Sequence, residues 1–114
     1  MSAILAPRVE IEEAPMAMME ISILPLGTGK TSVSPYIAEI FKYLHKQKGL
    51  RYELNGMGTT VTGKSDQLLK LAAALHKIPF SKGAKRVYTV IKLDDRKDKD
   101  QRPIDKVDSV LKRL

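Results

Sequence analysis

Apolar side chains along this sequence follow two periods in turn. Met19, Ile21 and Ile23 alternate with Glu20, Ser22 and Leu24, the spacing of a half-buried strand, and Pro25 with Gly27 marks its end. Ile37, Ile40, Phe41 and Leu44 then fall at i, i+3, i+4 and i+7, one stripe of a helix. Ser34 suits the N-cap of that helix and Pro35 its first position, where a missing N–H costs nothing. Gly49 is placed to stop it, so the helix is predicted near 35–48. Leu50, Tyr52 and Leu54, then Met57, Thr59 and Val61, return to alternation and predict two strands. Asn55-Gly56 between them is the dipeptide favoured by a type I′ hairpin, although a glycine here also suits a bulge. Leu68, Leu71, Ala72 and Leu75 form a second helical stripe, predicted over 65–78, with Ser65 as cap and Pro79 as terminator. Val87, Thr89 and Ile91 alternate with Tyr88, Val90 and Lys92 in a last strand, Arg86 to Leu93. Ile104, Val107, Leu111 and Leu114 predict a short C-terminal amphipathic helix.

The order β-α-β-β-α-β plus a helix predicts an α+β fold of the ferredoxin-like βαββαβ type. Its four-stranded antiparallel sheet carries two helices on one face and a short helix at the C-terminus. The 114 residues suffice for one such core. Residues 1–18 hold two prolines and the acidic group Glu10, Glu12 and Glu13, so they are expected to be an N-terminal extension to a domain spanning 19–114. Within the extension, Arg8 to Glu12 alternates as an edge strand would.

Charge changes this picture little. The formal charge of +7 invites a nucleic-acid reading, since clustered lysine and arginine gain affinity for phosphates by counterion release. Between Lys92 and Arg102, however, Arg96, Lys97 and Lys99 interleave with Asp94, Asp95, Asp98 and Asp100, which cancels much of the local field. No run of about 18 apolar residues and no basic start followed by an apolar stretch is present, so neither membrane insertion nor secretion is expected. With no cysteine, disulfides and thiolate chemistry are excluded, and a cytoplasmic location is favoured.

Candidate chemistry is sparse. Leu26-Gly27-Thr28-Gly29-Lys30-Thr31 follows a strand as a phosphate-binding P-loop does, but Leu24 stands where that motif needs its first glycine, and Thr31 to Ser34 delay the helix. His45 and His76 each lie near the predicted end of a helix, where an imidazolium suits the dipole, and neither has a serine or carboxylate at catalytic spacing. No metal signature is found, and no cofactor is expected. The βαββαβ order is shared with RNA-recognition domains, yet strands one and three hold no aromatic residue on which bases would stack. Two hydroxyl clusters remain: Thr28, Thr31, Ser32 and Ser34 in the first loop, and Thr59, Thr60 and Thr62 on strand three. Hydroxyls donate and accept, which suits the polar edge of a small heteroaromatic ligand. Threonine is also an ordinary strand residue and serine an ordinary cap.

Taken together, Glu20 to Gly29, Ser32 to Ala38, Gly58 to Val61 and Arg86 to Arg96 resemble the YkoF-like thiamine-binding family over residues 19–114. The resemblance implies a ferredoxin-like fold, a homo-oligomer built as a dimer of dimers through the sheets, and binding of thiamine or its hydroxymethylpyrimidine half without catalysis. Neither specific nucleic acid nor membrane is expected as a partner, given the alternating charges, the absent motifs and the lack of a long apolar run. The expected ligand contacts are Thr28, Ser32, Ser34, Asn55, Thr59 and Thr60, with Glu20 as an acidic acceptor. The chain departs from the family at Gly56, where proline is frequent, and at Thr62, where glutamate is usual. An acidic acceptor suits both a thiazolium cation and a pyrimidine amino group.

Overall fold

The computed structural model describes residues 16–98 and 103–114, and the edge-strand expectation for Arg8 to Glu12 lies outside them. The elements run β1 (Ala17–Leu26), α1 (Ser34–His45), β2 (Arg51–Asn55), β3 (Gly58–Gly63), α2 (Ser65–Ser81), β4 (Arg86–Asp94) and α3 (Pro103–Leu111). The sheet order is β2-β3-β1-β4 and every pairing is antiparallel, the split arrangement expected of a ferredoxin-like fold.

The strand alternation sorts side chains as the sequence predicts. On one face Met19, Ile21 and Ile23 of β1, Val61 and Thr59 of β3 and Tyr52 of β2 are buried; Ile40 and Leu44 of α1 and Leu68, Leu71 and Leu75 of α2 close over them. Apolar area removed from water along these two stripes supplies most of the driving force. Phe41 meets Tyr52 edge-on, with ring centroids 5.6 Å apart, and burial raises the Tyr52 phenol above its ordinary pKa. The opposite face carries Glu20, Ser22 and Leu24 beside Lys92, Val90 and Tyr88 of β4, in direct register.

Four local expectations change. β1 starts at Ala17 and runs through Pro25 to Leu26, with Met16 and Ala17 already buried. Beyond Ile21, β1 pairs only with β4, and proline is tolerated where a strand has a free edge. Val33 and Lys64, not Ser34 and Ser65, occupy the N-cap positions, and neither cap is made by a side chain. α1 stops at His45, three residues short of its predicted end. Pro79 sits inside α2 instead of ending it: it is buried in the last turns, and its carbonyl accepts from Lys82 and Ala84 before Gly83, at φ 98°, breaks the helix. One forfeited N–H bond so near a helix end is outweighed by that burial.

The β2–β3 connection is the two-residue loop Gly56-Met57, closed by Asn55 opposite Gly58. A type I′ turn needs positive φ at both loop residues, and neither has it. Histidine 76 is also reassigned. It lies a turn and a half inside α2, where Nδ1 meets Thr89 Oγ1 at 2.7 Å and the ring packs edge-on against Phe80, so it ties α2 to β4. His45 does end α1, and its Nδ1 lies 3.1 Å from the Tyr52 hydroxyl.

Candidate functional site

Because β3 pairs with β1 only as far as Thr59 opposite Ile21, the sheet has a notch beyond that point. The first turn of α1 and the β2–β3 loop close over it and leave a cavity of about 350 Å³. Its walls are aliphatic: Ile21 and Ile23 from β1, Val33 and Ile37 from the start of α1, Leu54 from β2. Asn55, Thr59 and Ser22 are its polar groups, and exposed Met57 hangs at the rim. An apolar hollow with a few convergent hydrogen-bonding groups, of this size, is the usual form of a small-molecule site. Thr59 is buried among its aliphatic neighbours, while the Asn55 amide donates to Thr60 Oγ1 at 2.7 Å, which fixes the amide's rotation.

On the other side of the α1 start lies a second hollow of about 370 Å³, lined by Thr28, Lys30, Ser32, Pro35, Tyr36, Glu39 and Lys82. Glu39 is the centre of its charge. Lys42 Nζ donates to Glu39 Oε1 at 3.1 Å, Lys82 Nζ lies 3.8 Å from Oε2, and these lysines with Lys46 hold the carboxyl below its ordinary pKa. The loop entering the hollow is shaped by Gly27 and Gly29, at φ 72° and 76°, conformations that a side chain resists. Between them Thr28 closes a small turn, its hydroxyl donating to the Lys30 carbonyl at 3.2 Å.

Six of the seven residues expected to bind ligand therefore fall into three places, and Ser34 into none of them. Asn55 and Thr59 share the apolar cavity, where Val33, not a hydroxyl of the loop, meets them. Thr28 and Ser32 line the charged hollow. Glu20 and Thr60 are register partners on the open face of the sheet, and Glu20 faces Lys92 at 3.7 Å. Ser34 starts α1, and its N–H reaches back to Ser32 Oγ at 3.4 Å. Thr62 is opposite Met18 and Arg51 at the far end of β3, away from both hollows. Sequence reasoning passed over Tyr36, Glu39 and Lys82. The first two lie in the opening turns of the predicted α1, but only the packing of α1 against α2 brings Lys82 to them.

Comparison with known proteins bears on what these hollows serve. A family model described as thiamine-binding protein matches residues 19–111. A UPF0045 protein of Methanothermobacter thermautotrophicus is 40% identical over 87% of this chain and 100% of its own length. The UPF0045 protein YqgV of Bacillus subtilis is 39% identical, covering 87% of this chain and 98% of its own. Among solved structures, the protein MJ1052 of Methanocaldococcus jannaschii superposes with a TM-score of 0.73 at 33% identity, over 85% of this chain and 97% of that one.

Proposed function

Because the chain belongs to the thiamine-binding protein family, we propose that it is a cytoplasmic, non-catalytic binding protein for thiamine or its hydroxymethylpyrimidine moiety. The observation that carries this reading is the apolar cavity at the end of β3, with buried Thr59 set among aliphatic walls and exposed Asn55 also lining it. A pyrimidine has flat apolar faces and a polar edge. Ile21, Ile23, Val33 and Leu54 suit the faces, and the Asn55 amide and Thr59 hydroxyl suit ring nitrogens and an amino group. Among the described residues that line this cavity none is a histidine, carboxylate or lysine, and His45 and His76 are engaged with Tyr52 and Thr89. Calorimetry with hydroxymethylpyrimidine and with thiamine tests the reading. A ligand at 100 times its Kd adds about 2.7 kcal/mol of stability, so a thermal shift must accompany the heat. No heat and no shift with either compound refutes it.

A second reading, that assembly is itself the activity, is favoured by the open sheet face. Leu24, Tyr88 and Val90 stand exposed there, Leu24 directly opposite Tyr88. On this reading the faces pair to give a dimer of dimers. Native mass spectrometry separates the two by showing the assembly and whether a small molecule travels with it. A monomer at micromolar concentration refutes the second reading.

A further inference from the structure

The functional reading uses the apolar cavity and leaves the charged hollow beside it without a role. That hollow carries a net positive charge. Lys30 from the β1–α1 loop and Lys82 from the end of α2 line it, and Lys42 of α1 and Lys46 just after α1 act on the carboxylate that Glu39 presents. The lining itself holds two lysines against one glutamate, 2 − 1, a net charge of +1, with Lys42 and Lys46 close enough to act on that glutamate. Glu39 is committed to Lys42 and Lys82, whereas no carboxylate among the described residues pairs with the Lys30 ammonium. Ser32 adds a hydroxyl that accepts only a long 3.4 Å bond from Ser34 and keeps its own proton to donate.

The two hollows are also adjacent. Ser32, Pro35 and Tyr36 face the basic one, while Val33 and Ile37, their neighbours in the chain, face the apolar one. A third depression under residues 24–33 shares Thr28 and Lys30 with the first and Leu24 and Val33 with the second. The surface is thus one tract that is apolar at one end and cationic at the other.

We propose that this tract takes the two ends of a single ligand, a heteroaromatic ring in the apolar cavity and a phosphate monoester in the basic hollow. The inference rests on the functional reading above and narrows it to a phosphorylated ligand. A phosphate monoester carries about −1.5 to −2 charges at pH 7 and three strong acceptors, which match Lys30, Lys82 and the Ser32 hydroxyl. Ammonium-to-phosphate hydrogen bonds are charge-assisted and roughly twice as strong as neutral ones. An unphosphorylated thiazolium brings only positive charge towards this surface. Its phosphate ester reverses that sign.

The test is calorimetry with thiamine and thiamine monophosphate at about 150 mM salt, where diffuse attraction is screened beyond about 8 Å. The monophosphate is expected to bind at least tenfold more tightly than thiamine. In the double variant Lys30→Ala/Lys82→Ala that ratio falls towards one. In Lys77→Ala, an exposed lysine of α2 outside the tract, the ratio stays as in the native protein. Equal affinities in the native protein overturn this inference and leave the functional reading standing, as does a ratio that survives the double substitution or collapses equally in Lys77→Ala. If neither compound binds, the functional reading fails and takes this inference with it.

Discussion

Replacing Gly58 with alanine strikes the point where the sheet stops and the apolar cavity begins. A Cβ at this position lies 2.9 Å from the Ile21 carbonyl oxygen, 3.5 Å from its carbon and 3.7 Å from Ser22 Cβ. Ordinary contacts begin near 3.4 Å, so strand and strand must part by about 0.5 Å. The atom in the way cannot swing aside as a side chain would. Ile21 is held by Thr59 on one flank and Ile91 on the other. Overpacking against a fixed neighbour costs about 1–3 kcal/mol, and each kcal/mol lowers Tm by roughly 4–8 °C in a domain of this size. Gly56→Ala is the matched control, because its Cβ meets nothing within 4 Å and its φ is not positive. That change is expected to be neutral, or to stabilise by up to about 1 kcal/mol through the unfolded chain. Urea and thermal unfolding of both variants measure the difference. If Gly58→Ala falls within about 0.5 kcal/mol of Gly56→Ala, a range typical of unremarkable surface changes, β3 is not pinned to β1 as described.

Thr59→Val keeps the shape of a buried side chain and removes its hydroxyl, so hydroxymethylpyrimidine affinity should fall about tenfold, the loss of one hydrogen bond of roughly 1.4 kcal/mol, while calorimetry and melting show the fold intact. Thr62→Glu places a carboxylate at a side chain only 2% exposed; it should destabilise by about 1–3 kcal/mol yet leave ligand binding unchanged, because Thr62 lies at the other end of β3. An affinity gain in that variant contradicts the placement of the cavity. Glu39 titrates below its ordinary value in the folded state because Lys42 hydrogen-bonds it. Its contribution is therefore present above the unfolded value of 4.5 and lost as pH falls through the lower folded one. Glu39→Gln should flatten the acid limb of the stability-pH curve, most visibly at low salt, and an unchanged limb counts against the Lys42 and Lys82 pairs.

The helices and strands were legible because burial writes a period into the sequence: Ile37, Ile40 and Leu44 can share a face only as a helix, and Met19, Ile21 and Ile23 only as a strand. The misreadings came where a local rule met a tertiary gain. Pro79 normally ends a helix, but here it is buried at a site that forfeits one bond. Asn55-Gly56 favours a positive-φ turn in isolation, yet the pairing of Asn55 with Gly58 moves the turn one residue on. The site was legible in part. Alternation assigns Thr59 to the core face and Glu20 to the open one, so their separation was implicit in parity. What parity cannot give is how far β3 travels beside β1, and that length decides that a cavity opens where Thr59 and Val33 both line it. Lys82 reaches Glu39 through helix packing, which leaves no trace in spacing.

The central position of β1 also sets a schedule for the nascent chain. One partner of β1 spans residues 58–63, but the other, which alone flanks Ser22 to Leu26, ends at Asp94. Sixty-eight residues, 94 − 26, must therefore be synthesised between the end of β1 and the end of that partner. At 5–20 residues per second this takes about 3–14 s, long compared with the microseconds in which helices and a hairpin form. During that interval Ile21 and Ile23 sit on a strand with one edge open, and a release or truncation before residue 86 leaves it so. The edge of β1 that waits for β4, opposite the one that frames the cavity, is thus the segment on which a ribosome-bound chain is most exposed to pairing with a neighbour.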